Sequence, residues 1–174
     1  MTGGRHMVEP HTTAETDGDD LRRAVEDVED PELPYVTIGD LGMVRGVAIR
    51  ADGTATIRLT PTYTGCPATE QISDDVAAAV RSAGFEPDVQ MVMSPAWSTD
   101  WITPRGHERL RAAGITPPPP ATSPDQAVPV AAPVACPRCD SRRTRLITEF
   151  GATACKASYV CNACSEPFEA FKAL

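Results

Sequence analysis

Sulfur carries most of the chemistry in this sequence. Of six cysteines, Cys66 stands alone, whereas Cys136, Cys139, Cys155, Cys161 and Cys164 crowd into the last third. Cys136-Pro-Arg-Cys139 and Cys161-Asn-Ala-Cys164 are two C-x2-C knuckles separated by 21 residues. Each knuckle chelates an ion from a tight turn, and two together complete a tetrahedral four-sulfur shell with no open position, which is the chemistry of a structural site. One zinc ion is expected there; the same thiolates would accept iron in a rubredoxin-like site, and ligand type leaves that alternative open. Residues 134–174 hold too few apolar side chains to fold unaided. Metal binding must then contribute folding free energy, about 10 kcal/mol or more for zinc. Cys155 lies outside the knuckle spacing. It reads either as a small packed thiol or as an accessory thiol beside Lys156.

Cys66 presents different chemistry. Residues 60–67, Thr-Pro-Thr-Tyr-Thr-Gly-Cys-Pro, lead from a strand into a helix, with Pro67 predicted at the first helical position and Cys66 at the N-cap. Unsatisfied backbone N–H groups and the helix dipole there would favour a thiolate, so Cys66 is expected to be more acidic than an ordinary cysteine and a good soft-metal ligand or nucleophile. An innocent capping cysteine is the competing reading. A second feature is the acidic run Glu26, Asp27, Glu29, Asp30 and Glu32 near the end of the preceding helix, where the dipole disfavours negative charge. A cation or basic partner would relieve that conflict; a solvated acidic helix end explains it equally well.

The elements that must position these groups follow from periodicity. Leu21, Val25 and Val28 recur at helical spacing up to the stop at Pro31. Residues 43–50 and 54–59 read as strands of a hairpin around Asp52-Gly53. Ile72, Val76, Ala79, Val80 and Ala83 form the apolar stripe of a helix closed by Gly84, residues 89–93 read as a third strand, and Thr103-Pro104 opens a last helix to about Ala113. The predicted fold is therefore α+β, a small sheet of about three strands with helices on one face, followed by a C-terminal β-rich zinc ribbon. By domain, residues 1–20 form an acidic tail expected to be disordered, 21–115 the α+β domain, 116–133 a linker with seven prolines, and 134–174 the ribbon. The linker reads as an extended tether between independent modules.

Composition excludes several classes. The net charge of −8 has the wrong sign for a protein built to hold a phosphate backbone, so no nucleic-acid partner is expected. Arg138, Arg142, Arg143 and Arg145 are read as a solvated or partner-facing surface of the ribbon. No apolar run approaches the about 20 residues of a membrane span and no export signal is visible, so a cytoplasmic protein with reduced thiols is expected. His107 is the one histidine in the α+β domain, no base is placed near Cys66 by sequence, and no glycine-rich phosphate loop occurs. Independent enzymatic turnover is not expected.

Asp30-Pro31-Glu32, Thr37-Ile38-Gly39-Asp40-Leu41-Gly42 and Gly65-Cys66-Pro67 opening a helix make residues 21–115 resemble the metal-sulfur cluster biosynthesis domain of SufT-like and cytosolic iron-sulfur assembly targeting proteins. With the knuckles and the segments 150–161 and 164–168, the whole chain resembles the PaaD-type accessory proteins of bacterial phenylacetyl-CoA epoxidase systems. The resemblance implies an assembly-factor fold and a role in maturing metal centres of aerobic phenylacetate degradation. The implied partners are the epoxidase subunits, either the diiron oxygenase or the iron-sulfur flavin reductase. It also implies that Cys66 binds iron or an iron-sulfur cluster transiently, with Asp30 and Glu32 nearby. A scaffold that stabilises the epoxidase complex without handling metal is the alternative, and the oligomeric state, a homodimer included, is left open.

Overall fold

The computed structural model describes residues 13–118 and 134–172. The first part is an α+β unit: helix α1 (Thr13–Glu26), strands β1 (Val44–Ile49) and β2 (Thr54–Leu59), helix α2 (Thr69–Ser82), strand β3 (Glu86–Met91), a single 3-10 turn (Thr99–Trp101), helix α3 (Pro104–Ala112) and the short strand β4 (Ile115–Thr116). The sheet order is β1-β2-β3. β1 and β2 pair antiparallel across the Asp52-Gly53 turn, where Gly53 takes a positive φ of 84°. β2 and β3 pair parallel, so α2 is the crossover between them. The predicted stripe of α2 is buried at Ile72, Val76 and Val80, which meet Leu21 and Val25 of α1, Ile57 and Leu59 of β2, and Leu110 of α3 in one core.

Helix α1 differs from expectation at both ends. It begins at Thr13, within the stretch read as tail, and stops at Glu26 instead of running to Pro31. The stop has a local cause. The groups that would continue the helix are claimed by the returning chain: Asp30 N–H donates to Val36 O (2.9 Å), while Val28 O and Glu26 O accept from Ile38 N–H (2.9 Å) and Gly39 N–H (3.0 Å). Glu29 and Thr37 form an isolated bridge. Asp30 and Glu32 therefore sit in a loop closed on itself, and only Glu26 and Asp27 face the unfavourable end of the dipole. The remainder of the expected tail, residues 1–12, lies outside the described residues.

Strands β5 (Thr144–Thr148), β6 (Lys156–Cys161) and β7 (Pro167–Phe171) form the ribbon, and the sheet order is β4-β7-β6-β5. Ile115 and Thr116 of β4 pair parallel with Glu169 and Ala170 of β7. The expectation of two independent modules is corrected by this pairing. Phe171 and Cys155 of the ribbon enter the core of the first unit, and the Phe171 ring lies 5.9 Å from that of Trp97, whose Nε1–H donates to Leu41 O (2.8 Å). Burying a side chain of this size contributes about 2 kcal/mol, which favours docking over free movement. Thr116 Oγ1 donates to Ala135 O (2.8 Å), which holds the two ends of the proline-rich segment together. Most of the expected linker, residues 119–133, lies outside the described residues.

Candidate metal centres

The two knuckles are built alike. In each, the N–H four residues after the first cysteine donates to that cysteine's carbonyl: Asp140 to Cys136 and Ser165 to Cys161, both at 2.9 Å. Each first cysteine in turn donates to the carbonyl five residues on, Cys136 to Ser141 (3.0 Å) and Cys161 to Glu166 (2.9 Å). Asp140 and Ser165 both take a positive φ, 57° and 64°, which closes the turn. Arg138 ties the knuckles together through Glu166 at 2.7 Å, while Arg143 donates to Asn162 O. Part of the basic cluster thus serves the ribbon itself.

This geometry fits a tetrahedral ion. The four sulfur atoms lie within 4.8 Å of one another, with Cys139–Cys164 at 3.5 Å, Cys139–Cys161 at 3.6 Å and Cys136–Cys164 at 3.8 Å. Zinc–sulfur bonds of about 2.3 Å set tetrahedral edges near ~3.8 Å. The N–H groups of Cys164 and Ala163 point at Cys161 Sγ and bring its thiol down to about 6, as suits a thiolate ligand. The four-cysteine group fits a structural metal held by Cys136, Cys139, Cys161 and Cys164.

The other candidate, Cys66, packs half-buried against the core that Cys155 and Phe171 of the ribbon also enter, at the seam between the two units. Cys66 is not the N-cap: α2 begins at Thr69, Ala68 caps it, and Cys66 is two residues upstream. Thr69 Oγ1 donates to Cys66 O (2.7 Å). The expected acidification of Cys66 is also corrected. Burial pushes its thiol up, and the charges of Glu32 and Asp30 push it further, which the Ala68 N–H and Thr69 hydroxyl only partly offset. The Glu32 and Asp30 carboxylates are thus near enough for their charges to act on Cys66. Asp30 Oδ1 accepts the Glu32 N–H at 2.8 Å, and burial raises the Asp30 carboxyl, opposed by the Glu32 and Leu33 N–H groups and by Lys156 of the ribbon.

Cys155 comes to this seam from the ribbon, buried, with Thr153 Oγ1 3.1 Å from its Sγ. Burial raises its thiol, with Asp30, Glu32 and Cys66 contributing through their charges. Lys156 does not acidify its neighbour. Its Nζ pairs with Glu169 Oε2 at 2.9 Å, inside the protein. Sequence reasoning missed this convergence because no local pattern links residues 89 positions apart; an unexplained cysteine in a ribbon already supplied with four was the available signal.

The Thr37–Gly42 motif has a positioning role. Gly39 packs so closely on α1 that a Cβ would stand 2.6 Å from Glu26 O, and Gly42, with φ 66°, abuts the Trp101 backbone. Asp40 is buried. It accepts the Thr37 N–H and binds Arg105 (2.6 Å) and Arg109 (2.7 Å), locking α3 to the loop that presents Asp30.

A family model described as an iron-sulfur cluster assembly protein matches residues 18–92, and one described as the PaaD zinc beta ribbon domain matches residues 120–172. A crystal structure of a domain of unknown function, DUF59, from Bacillus anthracis superposes with a TM-score of 0.52 at 32% identity, over 55% of this chain and 92% of that one. Fold and knuckles together define an iron-sulfur assembly domain joined to a zinc ribbon. The chain is 49% identical to an Escherichia coli protein named as a putative subunit of 1,2-phenylacetyl-CoA epoxidase, over 84% of this chain and 87% of the other. It is 35% identical to the Fe-S protein maturation auxiliary factor SufT of Staphylococcus aureus, over 44% of this chain and 88% of that one. The chain belongs to the PaaD family of phenylacetyl-CoA epoxidase proteins. Among the described residues no helix is long and apolar enough to cross a membrane.

Proposed function

We propose that this protein is an accessory maturation factor of a phenylacetyl-CoA epoxidase system, without turnover of its own, acting in the cytoplasm on iron or iron-sulfur centres of its client. The client is the diiron oxygenase or the iron-sulfur flavin reductase. Iron, or a cluster, is the cargo, taken at Cys66 with Asp30 and Glu32 beside it. The observation that carries this reading is that juxtaposition, a thiol with two carboxylates in a domain matched by an iron-sulfur assembly family. Two carboxylates beside a protonated thiol disfavour a thiolate when the site is empty and favour a cation when one arrives. Cys136, Cys139, Cys161 and Cys164 hold the structural zinc, which supplies folding free energy and no chemistry to the cargo.

Cys66→Ser tests the proposal. The variant is expected to keep its fold and one equivalent of zinc while co-expressed epoxidase or reductase carries less iron, read by elemental analysis and Mössbauer spectroscopy under anaerobic purification. Normal client iron and activity would remove Cys66 from the mechanism. The name of the Escherichia coli relative, which makes it a component of the epoxidase, favours a second reading, a scaffold that handles no metal. That reading predicts stoichiometric co-purification with the epoxidase and client activity indifferent to Cys66→Ser.

A further inference from the structure

The ribbon sheet ends in an open edge. β5 comes last in the order β4-β7-β6-β5, so one of its sides has no strand beside it among the described residues. Hydrogen bonds at the strand ends fix which groups face that side. Asn162 N–H donates to Arg143 O (2.7 Å), and alternation along an antiparallel pair then turns the backbone of Arg145 toward Val160 of β6. Cys161 N–H donates to Glu166 O (2.9 Å), so Tyr159, two residues back and opposite Leu146, turns its own groups toward Phe168 of β7. Thr144 C=O and both backbone groups of Leu146 therefore point to the open side. The surface beside them is partly apolar. Ile147 and Phe150 are 54% and 65% exposed, and an open cleft of about 400 Å³, whose lining includes Ile147, Thr148, Pro167 and Phe168, lies next to them. Charge gives the edge a sign. Glu149 is the only acidic residue between Ser141 and Ser165, against Arg142, Arg143 and Arg145. Arg138 is held by Glu166 and Arg143 by Asn162 O, whereas the exposed guanidinium groups of Arg142 and Arg145 have no ion pair or hydrogen bond among the described residues.

We propose that the β5 edge binds an extended acidic segment of a partner protein by strand addition. The segment's backbone pairs with Thr144 and Leu146, its carboxylates stand beside Arg142 and Arg145, and an apolar side chain covers Ile147 at the mouth of the cleft. A short strand with a bulge after Leu146 and arginines along it is blunted against indiscriminate pairing, but that protection alone would not leave Ile147 and Phe150 uncovered next to it. The arginines choose the occupant. A second copy of the same edge would bring like charges together, whereas an acidic strand meets opposite charge on each arginine. The proposal does not depend on the reading of Cys66, because it concerns how the ribbon is held to a partner, and both a cargo-handling factor and a scaffold need such a contact.

The probe is a short synthetic peptide of alternating glutamate and valine, titrated into the full chain with its ribbon filled with zinc and followed by calorimetry and by amide hydrogen exchange. Saturable binding is expected, with exchange at the Leu146 amide slowed at least about tenfold. The same peptide N-methylated at every second amide cannot add as a strand and should bind at least about tenfold more weakly to unaltered protein. Arg142→Glu with Arg145→Glu, two exposed positions, should weaken the glutamate peptide at least about tenfold and make a lysine-valine peptide the better ligand. Four results would each overturn the proposal: no binding of the glutamate peptide, equal binding of its N-methylated form, an unchanged Leu146 amide at saturation, or equal binding of the lysine peptide to the unaltered chain. Displacement of the peptide by a single-stranded oligonucleotide at lower concentration would assign the arginines to phosphate, and a dimer that the peptide dissociates would assign the edge to a second copy; either outcome also overturns it.

Discussion

At the scale of the residue, environment outweighs identity. Cys66 has the neighbours of a helix start but the acidity of a half-buried thiol facing two carboxylates. Asp40 shows the opposite balance. Burial raises its carboxyl, but the Thr37 N–H and the guanidinium groups of Arg105 and Arg109 outweigh burial and hold it below its ordinary value of 3.8. A carboxyl depressed on folding stabilises the protein fully above that ordinary value, and the contribution is lost as pH falls through the folded-state value. Asp40→Asn should therefore cost about 2 kcal/mol at neutral pH, less than a fully buried pair because both arginines are partly in solvent. Urea unfolding from pH 7 to pH 3 checks it: the wild-type advantage should shrink on the acid side.

At the scale of the element, close backbone approach decides where the carboxylates stand. The loop between α1 and β1 is closed by the Glu29–Thr37 bridge and by Gly39 lying on the Glu26 carbonyl. Gly39→Ala places a methyl group against backbone and should destabilise by about 1–3 kcal/mol. It should also displace Asp30 and Glu32 from Cys66. Thermal unfolding reads the first effect, and lower client iron on co-expression with protein still folded at the growth temperature reads the second. The hairpin, α2 and α3 were legible in the sequence because their signals are local: a turn pair, an apolar stripe, a Thr-Pro start. The early end of α1 was not, because the Glu26 and Val28 carbonyls and the Asp30 amide bond to residues 6 to 13 positions further on.

At the scale of the whole molecule, the ribbon is part of the first unit's architecture. β4 pairs with β7, and Trp97 is covered by Phe171. Stripping zinc with a chelator should unfold the ribbon, expose Trp97 and shift its fluorescence to the red, with the change reversed on adding zinc back. An unchanged emission spectrum after verified metal loss would show that docking does not depend on the ion.

The sequence alone determined the four-cysteine group of the ribbon, most of the helices and strands, and the two-part organisation, because knuckle spacing, turn chemistry and hydrophobic period act over a few residues. Tertiary structure alone decided that the two parts share a sheet, that Cys66 is not acidic, and that Cys155 is buried in the core of the first unit. Desolvation and the charges of neighbours set those properties, and both come from residues far apart along the chain that only folding brings together.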